Sequence, residues 1–529
     1  MLKASSAMAA ATLLSRVLGM VREMVYGYFM GTTWVASAFL LAFQVPNLFR
    51  RLLGEGALTA AFIPIFKEKE KIHGEAEMWR AANAVLSGLV IFTCAVVAVG
   101  ALAVTGALMY GGRFENGATL FSGKTLLMLQ LLRIMLPYLL LVCLAAVFMG
   151  MLNARGHFFI PAMGATMLNV VMIASVLFLA PRLGLGFPKE QRLPHQIFAL
   201  AIGVLAAGVA QAAFQLPTLW QEGFRYRWIS PWRDETVQRV VKQMLPATIG
   251  VAAFQINVVV TLGLSYWVDD YVVASFQYAV RLMELPQGLF GISLATYLLP
   301  TLSGLATDKN YDGFRTELRQ GVGYLIFTNL IASVLLVALA EPIIRLLFER
   351  GKFDATSTSQ ATLALVCLAP GLVAFSVVNI LARAFFALGD TKTPMKISVF
   401  CLVLNLLLAV MLVWRFKQGG LGIANTLTSL ANVSLLLYAL RRKLKRLDMV
   451  SLQRPLVALL LIAGFAGLAA YGGWQWWEKS LGHANLALKI GAVFVPAGIA
   501  GGIYWFTALL LKIPAAREMT EFALAKFKR

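Results

Sequence analysis

The sequence predicts an all-α protein that crosses a membrane about fourteen times, and three observations carry that prediction. Of its 529 residues, 59% are hydrophobic and only 13% charged, with a mean hydropathy of +0.76. A soluble chain runs nearer half apolar and a quarter charged. Apolar stretches long enough to span a bilayer recur from one end of the chain to the other. The charges gather mainly between those stretches, with basic residues concentrated in alternate connections.

Taken in order, the first series of stretches lies at about 5–31, 34–65, 82–110, 125–152, 158–180 and 195–220. A second lies at about 240–267, 271–304, 320–340, 358–387, 394–414 and 418–440, and two more at about 455–477 and 486–511 close the chain. All are read as helices, because an open sheet cannot satisfy its backbone in lipid. The segment from Glu341 to Phe353 is too short and too charged to span, and reads as an interfacial amphipathic helix. An even number of crossings puts both termini on one side. With the N-terminus inside, the inner segments hold 27 Lys and Arg and the outer loops 12, so both termini are expected in the cytoplasm.

An internal duplication organises these spans. Pro137, Gly156 and Pro161 recur as Pro370, Gly389 and Pro394, each displaced by 233 residues. Val35-Ala36-Ser37 is echoed by Val273-Ala274-Ser275, and Ile63-Pro64 by Leu299-Pro300. Span 2 then matches span 8, and spans 4 and 5 match spans 10 and 11. Six crossings separate the copies, an even number, so the repeats are parallel. The expected organisation is an N-lobe over 1–223, a C-lobe over 224–443, and two additional helices with a cytoplasmic tail over 444–529.

Several function classes are excluded at this level. The net charge of +21 and pI near 10 would suggest nucleic acid in a soluble chain, but here the basic residues are topology determinants. The cysteines Cys94, Cys143, Cys367 and Cys401 lie in apolar runs, form no C-x-x-C, and read as small buried hydrophobes. The four histidines are scattered, so no metal or other cofactor is expected. The N-terminal apolar run is interrupted by Arg16 and Arg22 and does not read as a cleaved signal. Ala118 to Thr125 (ATLFSGKT) matches a relaxed phosphate-loop pattern, but no strand precedes it and it falls outside the cell. Asp269-Asp270 could suggest a metal-dependent prenyl-phosphate transferase, although an acidic pair in a short loop reads more simply as a solvated turn. The basic run Arg441 to Arg446 is a topology anchor or anionic-lipid contact. No catalytic residue is expected.

Seven arginines remain inside spans: Arg16, Arg22, Arg50, Arg51, Arg133, Arg281 and Arg383. Charge at that depth is costly and normally faces a cavity or a partner. Arg22 with Glu23 lies about 9 Å beyond Arg16 along span 1. Arg50, Arg51 and Glu55 follow the Pro46-Asn47 break in span 2, and Arg281 and Glu284 share one face of span 8. Each arginine could simply be paired with its neighbouring acid or snorkel to an interface. Because spans 2 and 8 are equivalent, the expectation is that Arg16, Arg22, Arg50 and Arg281 line one anion-binding cavity, supported by Glu23, Arg51, Glu55 and Glu284. Guanidinium suits phosphate through its planar fork, so a net basic cavity with apolar flanks fits a diphosphate bearing a lipid tail.

At these residues the chain resembles the MurJ/MviN family, lipid II flippases of the multidrug/oligosaccharidyl-lipid/polysaccharide exporter superfamily. The stretches that carry the resemblance are Ser15-Arg16-Val17-Leu18-Gly19 through Arg22-Glu23, and Val45-Pro46-Asn47-Leu48-Phe49-Arg50-Arg51 through Glu55-Gly56-Ala57. Lys242-Gln243-Met244 with Pro246-Ala247, Arg281-Leu282-Met283-Glu284 through Pro286, Gly351-Lys352-Phe353 and Lys392-Thr393-Pro394 continue it. The resemblance implies a fourteen-helix fold, alternating access and a groove along spans 13 and 14 for a polyprenyl tail. It places essential cavity arginines on Arg16, Arg22, Arg50 and Arg281. It implies, as substrate, the undecaprenyl-diphosphate-linked disaccharide-pentapeptide moved from the inner to the outer leaflet of the cytoplasmic membrane. Membrane lipids and cell-wall synthesis proteins are the other expected partners. Where the family often has an acid in span 2, this chain has Ser37, so no ion-linked role carries over there. The competing readings are a drug/cation antiporter or another lipid-linked oligosaccharide flippase of the superfamily, the transferase, and a non-transporting scaffold.

Overall fold

The computed structural model describes residues 2–54, 57–111, 121–445 and 453–527, nearly all of them helical, and contains no strand among them. The chain divides into two compact units, Met1–Tyr271 and Val272–Arg529.

The first unit opens with α1 (Leu2–Met30) and α2 (Trp34–Phe49), the latter capped where the Thr33 side chain accepts from the Ala36 amide. Pro46 removes a donor near the end of α2, and the chain passes into a π-helical turn, Arg50–Gly54. Next comes α3 (Ala57–Gly111), whose 55 residues would run about 80 Å if straight, over twice a bilayer core. It is broken at Gly74 (φ 81°), which separates a first limb rich in charge from a second, apolar one. The pair α4 (Gly123–Met135) and α5 (Tyr138–Ala154) is bent by 43° at Pro137. Then follow α6 (Phe159–Ala174), α7 (Ala180–Leu183), α8 (Arg192–Gln196), α9 (Phe198–Gln221) and α10 (Glu235–Val268). Asp234 caps α10 by accepting from the Thr236 and Val237 amides, and α10 packs against α3 and α2 within this unit.

The second unit starts with α11 (Val272–Pro286), a π-helical turn over Gln287–Ile292, and α12 (Ser293–Thr307). It continues through α13 (Tyr311–Ala338), α14 (Ala340–Phe348), α15 (Ala355–Leu368), a 3₁₀ turn over Ala369–Gly371, and α16 (Leu372–Ala387). The 53 residues of α17 (Lys392–Leu444) are broken at Lys417 (φ 50°). Last come α18 (Gln453–Ser480), α19 (Leu486–Leu510) and α20 (Pro514–Phe527). Phe314, Leu318 and Leu325 of α13 pack with Ile380, Leu381 and Phe385 of α16 in one core. A second core docks α18 and α19 on α13 through Phe327, Ala463, Ala466 and Tyr504, whose hydroxyl donates to the Phe327 carbonyl at 2.9 Å. The expected interfacial helix is present as the short α14, with Ile344, Leu346 and Phe348 turned inward.

Among the described residues, nine helices are long and apolar enough to cross a bilayer, or ten with the bent α4–α5 pair as one span. The sequence reading of about fourteen crossings is consistent with these helices, because some of them are merged or broken and hold more than one crossing. Thus α17 holds two of them about Lys417. All four cysteines are free; Cys143 and Cys401 are buried as expected, but Cys94 is exposed on the apolar outer surface of α3.

The duplication is repeated in local geometry. Both copies place a π-helical turn just after a helix-terminal proline, Pro46 and then Pro286. Ser37 and Ser275 are both fully buried. Both break a helix at Pro137 and Pro370, and both turn on a left-handed glycine, Gly156 (φ 88°) and Gly389 (φ 71°). After Gly389, Asp390 accepts from the amide and hydroxyl of Thr393 and from Lys443 Nζ at 2.6 Å, which clips the start of α17 to its end.

A Cβ at Gly156 or Gly389 meets nothing within 4 Å, so the cost of alanine there is backbone strain alone. Gly156→Ala and Gly389→Ala should each lower stability by about 1–2 kcal/mol, read as a fall in melting temperature of the detergent-solubilised protein. The Lys443 ammonium, followed by Thr393, pushes the Asp390 carboxyl down to about 2. A lowered pKa stabilises above the ordinary value near 4 and that stabilisation is lost as pH falls toward 2. Asp390→Asn should therefore melt earlier than the parent at pH 7, and the two curves should converge between about pH 4 and pH 2.

Candidate functional site

The embedded charge of the first unit centres on α1. Arg22 projects from an otherwise apolar stretch, and its side chain is only 12% exposed. One terminal nitrogen donates to Glu23 at 2.5 Å and the other to the Asn169 carbonyl oxygen at 3.1 Å, while the guanidinium lies 5.5 Å from the centroid of Tyr26. Asn169, in α6, returns to α1 by donating to the Ser15 carbonyl at 3.1 Å. An anion, an amide and an aromatic face thus fix the guanidinium between two helices. Glu23 is buried and balances the charge. Arg16, two turns earlier, is exposed.

Arg50 opens the π turn and donates from Nε to the Asn47 side chain at 3.0 Å, so the residue after Pro46 orients the guanidinium. Arg51 follows it, half-buried. Glu55 lies outside the described residues. In the second unit, Arg281 donates to Glu284 at 2.8 Å, one helical turn on, and both are more than a third exposed. The pairings expected for Arg22 with Glu23 and for Arg281 with Glu284 are therefore present.

At the other end of α10 the first unit holds a second polar assembly. Ser37 donates to the Asp270 carbonyl at 2.5 Å. Lys124, with its side chain 11% exposed, donates to the Tyr266 carbonyl at 2.8 Å, pairs with Asp270 at 3.1 Å and lies 4.1 Å over the Tyr266 ring. This is the lysine of the ATLFSGKT stretch. Residues 118–120 lie outside the described ones, but Ser122 caps α4 and Lys124 serves the C-terminal end of α10, where a cation meets the negative end of the helix dipole. The Asp269-Asp270 pair belongs to the same helix terminus. Among the described residues, no three His, Cys, Asp or Glu converge as metal ligands. Arg446 of the basic run also lies outside the described residues.

On the face expected to be cytoplasmic, Arg155 ties three connections together. It reaches Glu70 at 2.5 Å, Glu75 at 2.8 Å and Glu222 at 2.7 Å, and His157 shares Glu222 at 2.7 Å. His157 and then Arg155 hold the Glu222 carboxyl below the usual range, and Glu222 leads the acids that raise Arg155. Arg239 forks onto Glu68 with two bonds of 2.7 Å, and Arg80 joins Glu77 and Asp234. These contacts hold the charged limb of α3 against the ends of α5, α9 and α10.

Sequence reasoning missed Asn169, Lys124 and Arg155. Asn169 carried a usable signal, a lone amide within an apolar span, the criterion that marks Arg22 itself. Lys124 and Arg155 sit at helix ends, in the first turn of α4 and just past α5, where their partners come from remote segments and no spacing announces them.

Comparison with known proteins gives a consistent result. A family model described as lipid II flippase MurJ matches residues 26–489. A probable lipid II flippase MurJ of Vibrio cholerae is 33% identical over 480 residues, covering 90% of this chain and 89% of that protein. A solved structure of lipid II flippase MurJ in an inward closed conformation superposes with a TM-score of 0.75 at 21% identity, over 95% of this chain and 99% of that one. An inward-facing multidrug-resistance MATE transporter of the MOP superfamily reaches a TM-score of 0.66 at 16% identity, over 81% and 95%.

Replacing Lys124 by Met removes the cation but keeps the stem. The Tyr266 carbonyl and the Asp270 carboxylate then lose a charge-assisted donor, and stability should fall by about 1–3 kcal/mol. Thermal unfolding of the purified variant measures this, and Lys124→Arg should recover part of the loss.

Proposed function

The chain belongs to the MurJ family of lipid II flippases, and on that premise we propose that it carries lipid II, the undecaprenyl-diphosphate-linked peptidoglycan precursor, from the inner to the outer leaflet of the cytoplasmic membrane. The observation that carries the reading is Arg22: a guanidinium held by Glu23 and Asn169 at a depth where an unexplained charge is costly. Arg16, Arg22, Arg50 and Arg281 bind the diphosphate, whose oxygens accept from the planar fork. Glu23 and Glu284 orient their arginines and reduce mutual repulsion, and Arg51 and Glu55 support the same end of span 2. Pairing of Glu23 and Glu284 with arginines argues against a cation antiporter, which needs a carboxylate available to its cargo.

No bond is made or broken in this cycle, which alternates access to the two leaflets. Both termini lie in the cytoplasm, a placement supported by the 27-to-12 distribution of basic residues. The inside-negative potential favours outward movement of an anion by about 2.3 kcal/mol per charge per 100 mV, which supplies a driving force without ATP. Cell-wall synthesis enzymes are the partners that would receive the product.

Arg22→Ala and Arg281→Ala should each fail to support growth of a flippase-depleted strain at normal protein level, with precursor exposed on the outer leaflet reduced about tenfold or more. Normal growth and exposure in both variants would refute the diphosphate role. Growth failure with unimpaired exposure would point to a scaffold instead.

A further inference from the structure

A cavity of about 380 Å³ lies wholly within the second unit, between α13, the start of α18 and α20. Its depth along the chain is set by its walls. Arg319, Gln320 and Tyr324 come from the first half of α13, Leu456 and Leu459 from the first turns of α18, and Glu518 from α20. By the charge distribution these helix ends face the cytoplasm, so the cavity sits where the inner leaflet's phosphates meet its acyl chains. The helix α20 lies over it, packed inward through Ala515, Ala516 and Met519 and pinned by the Trp505 indole donating to Thr520 at 3.0 Å, with Arg517 and Glu521 exposed and Glu518 at the cavity's rim.

The lining is divided by chemistry. Leu459 and Ile513 form a buried apolar floor. Among the described residues, the charged groups lining the rim are the Arg319 guanidinium and the Glu518 carboxylate, to which the Tyr324 hydroxyl donates. A guanidinium offers five donors to a phosphate, a carboxylate with an adjacent hydroxyl accepts from an ammonium, and the floor takes the glycerol and first methylenes. The volume falls in the usual range for small-ligand pockets, about 300–1,000 Å³.

We propose that this cavity is a binding site for a zwitterionic phospholipid with a primary ammonium, of the phosphatidylethanolamine type, its phosphate on Arg319 and its ammonium on Glu518. A glycerol head group would bring only neutral hydroxyls to Glu518 and leave its carboxylate without a cation. A choline head group would bring a quaternary nitrogen with no N–H to give. The lipid fastens α20 to α13 and α18, and so anchors the C-terminal helix to the body of its unit.

The full-length protein, delipidated in detergent and titrated with defined lipids, tests this by native mass spectrometry. Phosphatidylethanolamine should form a single tight adduct, with phosphatidylglycerol and phosphatidylcholine about tenfold weaker. Glu518→Gln should bring phosphatidylethanolamine down to the level of phosphatidylcholine, while Arg319→Gln weakens all three. Gln320 is exposed at the rim, so Gln320→Trp should fill the cavity and abolish the adduct with unchanged elution and melting of the lipid-free protein. Equal binding of the three lipids, or full binding by Gln320→Trp, would overturn the proposal. Displacement of phosphatidylethanolamine by undecaprenyl phosphate would overturn it too, by assigning the cavity to a carrier tail.

Discussion

A guanidinium inside a membrane must be held by something, because water is not there to solvate it. Much of the local architecture of the first unit follows from that constraint at Arg22. Glu23 is its immediate neighbour, so the charge is balanced before the helix packs. Asn169 is contributed by α6 and bonds both Arg22 and the α1 backbone at Ser15, which fixes where α6 lies along α1. Tyr26, one turn on, closes the aromatic side. The polar residues on this otherwise apolar surface thus form one connected set.

The second constraint is the kinked backbone. Prolines at 46, 137, 286 and 370 each coincide with a π turn, a 3₁₀ turn or a bend. A broken helix exposes backbone carbonyls and positions side chains that a straight one would hide, and Arg50 is oriented by Asn47 directly after such a break. The charged assemblies at the ends of the first unit work differently. Lys124 neutralises a helix terminus, and Arg155 joins acids from α3 and from the end of α9, so both hold remote segments in place.

Much of this was legible before any coordinates. The spacing of proline and glycine gave the duplication, and the left-handed φ at both Gly156 and Gly389 shows why glycine recurs there. The arginines stood out because composition made any embedded charge conspicuous, and the local acid partners of Arg22 and Arg281 could be read from spacings of one and three residues. Less legible were partners supplied from afar. Nothing in the spacing of Asn169, Lys124 or Glu222 indicates what each will touch, since the pairing is decided by which helix ends meet. Hydropathy also placed two of the backbone breaks, since the gaps read between apolar stretches at 66–81 and 415–417 contain Gly74 and Lys417.

The two π-helical turns bear on the history of the chain as well as its geometry. Ser37 and Ser275 are 238 residues apart, Pro64 and Pro300 are 236, so the first copy is two residues longer across this stretch. A turn closed by i→i+5 bonds can take up an added residue while the helix before and after keeps its own phase. Single-residue insertions and deletions there leave the buried serine and the downstream proline in their places. Such turns make this the stretch in which ancestral halves could drift apart in length, and become chemically unequal, without either half losing its packing.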